Sequence, residues 1–164
     1  MANVVTVALL LLLPWASGCG SSRRVAVTPC RGPHLRVSQG RIAVGLGNRL
    51  EEVVFTNIGP GACLLRGHPS ITAAGRPLHV VRGQGGGTYF GRLVPAVLGP
   101  GERGFLDFAT ANGTDCGGRP TLIARYRDLV FDLPGGGHAL GRHVSITEHC
   151  SLSVSALGRP ERPG

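Results

Sequence analysis

Residues 55–71 constrain the fold more than any other part of the chain. They read FTNIGPGACLLRGHPSI, in which apolar segments are separated by turn-forming residues at Asn57, at positions 59–61 and at positions 67–69. Asn, Gly and Pro favour turns because they tolerate or preset backbone angles that other residues avoid. The stretch is therefore predicted to fold as strand, turn, strand, turn, with Cys63 just after the first turn.

Glycine and proline occur along the whole chain, between short apolar runs. The 164 residues include 27 glycines and 12 prolines, both above average usage, and neither follows a repeat. This composition suits short strands joined by tight turns, whereas long helices avoid it. A chain of this length fits one domain plus a targeting segment.

Alternating apolar residues indicate the strands of the predicted domain. Leu35 alternates with polar neighbours, and Ile42 and Val44 continue the pattern, which is typical of half-buried strands. About eight to ten such segments follow one another at the spacing of a sandwich. We therefore predict an all-β antiparallel sandwich over residues 30–157, followed by a disordered polar tail over residues 158–164.

The first 18 residues are typical of an export signal. An apolar run of roughly ten residues is too short to cross a bilayer and suits a signal-peptide core. Small residues lead into Cys19, as in the lipobox that directs a diacylglyceryl group to a cysteine thiol. We predict a lipoprotein anchored through Cys19, with a flexible spacer over residues 19–29. The alternative is an ordinary secretory signal that leaves Cys19 as a spare thiol.

Four further cysteines, Cys30, Cys63, Cys116 and Cys150, lie in the predicted domain. An even number in an exported domain indicates two disulfides, for which three connectivities are possible. If the strand after Cys30 pairs with the strand before Cys63, antiparallel geometry brings these two together. The same reasoning pairs Cys116 with Cys150. A zinc site is disfavoured because the cysteines are far apart and form no C-x-x-C pair.

The motif in residues 55–71 resembles the hallmark of an actinobacterial family called domain of unknown function 4232. The shared features are Phe-Thr-Asn with a following Gly, then Cys-Leu, then Gly, an aromatic residue and Pro. His68 stands where tyrosine is usual, and residues 98–102 resemble the family's Leu-x-Pro-Gly turn. The resemblance covers residues 30–157. It implies an immunoglobulin-like β-sandwich in a secreted protein or lipoprotein, and it implies no activity and no catalytic residues.

The chain is strongly basic, with a formal charge of +8, and all of its basic residues except the six histidines are arginines. Such a charge attracts anionic partners, for example phospholipid headgroups or anionic wall polymers. The simpler interpretation is a codon preference for arginine, which we favour because the arginines are spread along the chain and form no run beyond Arg23-Arg24. Nucleic-acid binding is disfavoured, since the chain has no basic helix and only 5% aromatic residues for base stacking.

Two polar loops, residues 83–91 and residues 111–119, are the predicted binding elements. The first reads GQGGGTYFG, and its glycine spacing matches neither dinucleotide-binding nor P-loop motifs. A mobile connection is therefore favoured over a phosphate cradle.

Catalytic and metal-binding patterns are weak in this sequence. No G-x-S-x-G elbow is present, and carboxylates such as Asp107 are too scattered for an acid–base pair. His138, His143 and His149, with Glu148 or Asp132, could hold copper or zinc, although surface histidines are the favoured interpretation. We therefore expect a non-enzymatic envelope protein without a cofactor, which binds an envelope protein or a wall polymer. The alternative is a metal-binding envelope protein that uses the late histidines.

Overall fold

A computed structural model describes residues 26–45, 47–83, 92–111, 116 and 123–161. Within these residues the chain forms β-strands and one short 3-10 turn, Gly32–His34. No helix in this part of the chain is long and apolar enough to cross a membrane. The strands are β1 (Leu35–Gly45), β2 (Asn48–Asn57), β3 (Cys63–Leu65), β4 (Ser70–Ala73), β5 (Arg76–Pro77), β6 (Val81–Arg82), β7 (Leu93–Val94), β8 (Ala96–Leu98), β9 (Arg103–Ala111), β10 (Ile123–Asp132), β11 (His138–His149), β12 (Leu152–Val154) and β13 (Arg159–Pro160).

Two larger sheets make up most of the fold. One has the order β1-β2-β9-β12-β6, and the other has the order β11-β10-β4-β5. Their neighbours pair antiparallel except for β12 and β6, which are parallel. The short pairs β3-β8 and β7-β13 complete the described strands. The predicted all-β fold is confirmed, while its immunoglobulin-like character stays a prediction.

The core lies between the two larger sheets. Phe55 of β2 and Phe131 of β10 are fully buried, and their rings meet edge to face with centroids 5.2 Å apart. This geometry suits aromatic rings because the positive ring edge meets the negative face. Leu106 and Ile146 are buried in the same cluster, so each sheet contributes its inward-facing residues.

The predicted strand–turn–strand–turn of residues 55–71 is confirmed. It contains the end of β2, all of β3 and the start of β4. The Asn57 side chain holds the first turn: its Nδ2 donates to the carbonyls of Gly61 and Leu98, and its Oδ1 accepts from the Gly59 N–H. Asn57 is buried, so an apolar residue there would leave these groups unpaired.

The far end of the β1–β2 hairpin is more exposed than the sequence pattern predicts. Ile42 and Val44 are 46% and 56% exposed, whereas half-buried positions were expected. β1 and β2 change register between Gln39 and Ile42, which indicates a β-bulge. Beyond it, residues 41–45 of β1 are all exposed.

The described fold extends past both predicted domain boundaries. Thr28, in the predicted flexible spacer, accepts a hydrogen bond from the Leu64 N–H at 2.8 Å. At the other end, Gly158 exchanges backbone hydrogen bonds with Phe105, and Arg159 pairs with Val94 in β13–β7. Residues 158–161 are therefore part of the fold, contrary to the expected disordered tail.

Arg159 explains why the polar C-terminal segment is ordered. Its Nη2 lies 3.1 Å from the Glu102 carboxylate, and its Nε donates to the Arg103 carbonyl. The Gly99 N–H and Arg159 together lower the pKa of Glu102, so its charge is retained. Composition alone suggested disorder because this segment lacks apolar residues.

Both predicted disulfides are present. Cys30 pairs with Cys63, and Cys116 pairs with Cys150. Cys30 directly follows Pro29, which forms an isolated β-bridge with Leu64 of β3. The first disulfide therefore links the start of the domain to the turn motif. The second joins Cys116 to the residue that follows β11.

Candidate binding face

Four exposed arginines lie on and beside the β10 side of the second sheet. We call Arg76, Arg125, Arg127 and Arg142 the arginine face. Arg125 and Arg127 have the same parity on β10 and point away from the core, while Tyr126 between them packs against it. Arg142 is on β11. Arg76 is on β5, where it lies opposite Ala73 and so on the same side of the sheet as Leu129, and it reaches the group at the open side of the sheet by lining the same groove as Arg125 and Arg127.

An irregularity between β10 and β11 brings Arg142 to the surface. Arg127 pairs with Ser145 and Leu129 pairs with Gly141, so the single residue Asp128 lies opposite residues 142–144. Asp128 has φ 51°, a left-handed conformation that Asp tolerates better than most residues. The extra residues allow Arg142 and His143 both to be exposed, although they are neighbours in sequence.

A groove of about 630 Å³ runs beside the first half of β10. Strand β4 pairs with β10 only at residues 129–132, and the groove lies where β4 ends. It is lined by Arg76 of the β4–β5 hairpin, by His79 just after it, and by Arg125 and Arg127 of β10. A second cavity of about 340 Å³ shares Arg125 and Arg127 and adds Arg142 and His143, so the two cavities are neighbours on either side of these two residues.

Glu148 is the acidic residue that lines the groove, and it is hydrogen-bonded to Tyr126. The Tyr126 hydroxyl donates to Glu148 Oε2 at 2.6 Å. This hydrogen bond and the nearby carboxylate raise the pKa of Tyr126 to about 12, so the phenol stays protonated as a donor. In the described part of the chain, Glu148 forms no ion pair with an arginine of the face.

The arginine face keeps its charge unneutralised. Within the described residues, none of its four arginines forms an ion pair, and the one side-chain hydrogen bond is from Arg125 to Ser145 Oγ at 3.4 Å. Asp128 and Glu148 are the two carboxylates lining the cavities, against four arginines and two histidines. A guanidinium can bind carboxylate or phosphate through two parallel N–H bonds, so the face suits anionic groups.

Comparison with family models decides which family this fold and motif represent. The model for domain of unknown function 4232 matches residues 30–143, more than half of the chain. The chain belongs to this family. Comparison with curated proteins and with solved structures gives no match. The resemblance seen in the sequence is thus confirmed as membership of the DUF4232 family.

The family motif of this DUF4232 chain packs at the end of the domain that carries Cys30 and Cys63. Gly67 has φ 83°, a conformation that favours glycine, and it accepts a hydrogen bond from the Leu157 N–H. His68 is half-buried, and its Nε2 has no hydrogen-bond partner among the described residues. Gly67 and His68 line neither of the two cavities beside the arginine face, so the motif does not form this face.

Several predicted site residues fall outside the described part of the chain. They are Cys19 with its signal, residues 84–91 of the glycine-rich loop, and most of the 111–119 loop. Cys116 of that loop is described through its disulfide. Lipid attachment and loop-mediated binding thus stay predictions.

The three late histidines are not gathered at one point. His138 and His149 are the first and last residues of the extended strand β11, about 35 Å apart along its length. His138 contacts the Asp132 carboxylate, and His143 borders the arginine face instead. Within the described residues no group of three potential metal ligands occurs.

Asp107 is a buried carboxyl on the first sheet, away from the arginine face. It lies directly across from Glu52 in the β2–β9 register, and its Oδ1 has no hydrogen-bond partner in the described structure. Burial and the Glu52 charge raise the pKa of Asp107 to about 6, although Arg41 opposes the shift.

The arginine face could not be recognised in the sequence because its members are separated along the chain. Arg76, Arg125 and Arg142 come from three strands and meet only when the second sheet forms. The usable signal was the alternation Arg125-Tyr126-Arg127, which places two arginines on one outward face of a strand.

Proposed function

We propose that this DUF4232 protein is a non-enzymatic binding module of the cell envelope, and that its arginine face binds an anionic partner. The partner is an envelope protein or a wall polymer that carries carboxylates or phosphates. The observation that carries the proposal is a pair of neighbouring cavities that share Arg125 and Arg127, are lined by four exposed arginines, and have no ion pair to those arginines in the described residues. Guanidinium groups without an ion-pair partner are available to bind an external anion.

The compartment follows from the two disulfides. Such bonds persist in oxidising environments outside the cytoplasm. We further propose that diacylglyceryl and palmitoyl groups on Cys19 hold the domain at the outer surface of the cytoplasmic membrane, the alternative being secretion. The lipobox-like residues before Cys19 support this anchor.

Charge reversal on the face tests the binding proposal. The variant is Arg125→Glu/Arg127→Glu, and the probes are polyglutamate and polyphosphate. We expect the native chain to bind at least one of them at low salt, more weakly as salt rises, and the variant to lose at least about tenfold in affinity, since two charge-assisted contacts are worth about 1.5–3 kcal/mol each.

A matched control removes the same charge elsewhere. Arg31→Glu/Arg66→Glu changes two exposed arginines near the Cys30–Cys63 disulfide, and neither lines the arginine face. The control is expected to keep most of the affinity, because only long-range charge is altered. Equal losses in both variants would show that net charge, and not the face, governs binding.

The lipid anchor is tested by the intact mass of the native protein extracted from membranes. A chain that begins at Cys19 and carries a diacylglyceryl group supports the anchor, and a Cys19→Ser variant released into the medium supports it independently. A mature chain without lipid would contradict the anchor and leave secretion.

A further inference from the structure

Within the residues that the structure describes, the first half of β10 is an open sheet edge. On one side β10 pairs with β11 along its whole length, while on the other side β4 pairs only from Leu129 to Asp132. Within the described chain, residues 123–127 therefore have no strand partner on the groove side. An open edge of this kind presents unpaired N–H and C=O groups to any extended chain that approaches.

The register shows which backbone groups face the groove. The N–H groups of Ser145 and Thr147 donate to side chains of the other sheet, so these residues do not donate to β10. In an antiparallel ladder, hydrogen-bonded pairs alternate with non-hydrogen-bonded pairs. Ile146 lies between Ser145 and Thr147 and opposite Tyr126, so Tyr126 and Ile146 form the hydrogen-bonded pair. The N–H and C=O of Arg125 and Arg127 consequently point away from β11, toward the groove.

The opposite edge of the same sheet, formed by β11, is covered by hydrogen bonds. Three N–H groups on alternate residues of β11 point away from β10, and each donates to a side chain of the first sheet. The donor and acceptor pairs are Ser145 with Gln39, Thr147 with Glu51, and His149 with Thr110. One edge of the second sheet is thus closed by side chains, while the edge beside the arginine face is open as far as the described residues extend.

We infer that the partner is an extended acidic polypeptide segment that adds to β10 as a strand at residues 123–127. The inference rests on the proposed function, since the same arginines attract the partner. Strand addition provides affinity through main-chain hydrogen bonds, while alternate side chains of the added strand give specificity. Acidic side chains of the added strand on the outward face lie beside Arg125 and Arg127, and those on the other face lie over Tyr126 and Leu78.

Charge and backbone chemistry together favour a polypeptide over a wall polymer. The arginines suit either one, but a phosphodiester or sugar chain has no repeating N–H and C=O pattern to match the free edge. The five open residues span about 16 Å, enough for a short strand. The arginines also keep copies of this chain apart, because charged edges resist self-pairing.

The experiment compares three probes on the native chain extracted in detergent. The first is a capped eight-residue peptide of alternating Glu and Thr. The second is the same peptide N-methylated at its four central residues, which removes ladder donors on both of its edges. The third is polyphosphate. Binding is measured together with residue-resolved hydrogen exchange of the Arg125 and Arg127 amides.

Strand addition predicts that the unmethylated peptide slows exchange of the Arg125 and Arg127 amides at least about tenfold. It also predicts that N-methylation weakens binding about tenfold or more, the equivalent of two lost hydrogen bonds. Polyphosphate should leave both amides unprotected. If all three probes bind equally without amide protection, strand addition is wrong while anion binding by the face stands. If none binds, the proposed function fails as well.

Discussion

The Glu51 carboxylate accepts a hydrogen bond from the Thr147 N–H at 2.7 Å, although the two residues belong to different sheets. Glu51 is only 2% exposed, and its other oxygen accepts from Arg49 Nε at 2.5 Å. A buried charge is tolerated when it is paired and hydrogen-bonded, as here. The contact closes the β11 edge and links the two sheets through one side chain.

Replacing Glu51 by leucine should destabilise the domain by about 2–4 kcal/mol. The change leaves the Thr147 N–H without its acceptor and Arg49 without its ion-pair partner. Glu51→Gln keeps an acceptor oxygen and should cost less than half as much. Denaturant unfolding of both variants checks this, and equal losses would show that the hydrogen bond to β11 is unimportant.

Much of the fold could be predicted because apolar periodicity and turn residues act locally. On β10 the apolar residues change parity from Ala124 and Tyr126 to Leu129 and Phe131, and the change coincides with the irregularity at Asp128. The disulfide pairs followed from antiparallel pairing alone. Periodicity indicates which residues of a strand share a face, but not whether another element packs on that face. The exposure of Ile42 and Val44 therefore could not be predicted.

The candidate site was harder to predict because it depends on tertiary register. Arg76 and Arg142 reach the face through the β4–β5 hairpin and through the extra residues of β11. The open β10 edge exists because β4 is shorter than β10, a property of pairing that no single segment encodes. The ordered C-terminal segment was missed for a similar reason, since the contacts of Arg159 are with residues more than fifty positions away.

The two disulfides should differ in their contribution to stability despite similar loop lengths. Their sequence separations are 33 and 34, so loop entropy alone predicts about 4 kcal/mol for each. Cys30 and Cys63 are also buried in the core, whereas Cys116 and Cys150 are partly exposed. Cys30→Ala/Cys63→Ala should therefore lower the unfolding temperature more than Cys116→Ala/Cys150→Ala. The opposite ranking would contradict the packing role of the first bond.

Gly158→Ala should destabilise the domain by about 1–3 kcal/mol through overpacking. A Cβ at this position would lie 2.2 Å from the Val94 carbonyl oxygen, which is backbone and cannot move aside easily. Gly45→Ala is the control, because its Cβ would meet nothing within 4 Å. Thermal unfolding of the two variants compares them. If Gly158→Ala is as stable as the control, residues 158–161 are not packed as described.

Asp107→Asn should stabilise the domain at neutral pH. The folded-state pKa of Asp107 is about 6, above its ordinary value of 3.8, so the folded protein favours the protonated form. Stability from this group is fully present below about pH 4 and is lost as the pH rises through 6. Asparagine stays neutral throughout and avoids that loss.

The expected gain at pH 7.5 is about 1–2 kcal/mol, since each pKa unit is worth about 1.4 kcal/mol and solvent screening reduces the total. Urea unfolding of native and variant chains between pH 4 and 8 measures it. Asp128→Asn, the same substitution at an exposed position, serves as control. The two curves for Asp107 and Asp107→Asn should meet near pH 4, separate between about pH 4 and 6, and stay a constant distance apart above that. Curves that do not separate anywhere between about pH 4 and 8 would show that the Asp107 carboxyl is not protonated by its burial beside Glu52, and that Arg41 compensates its charge.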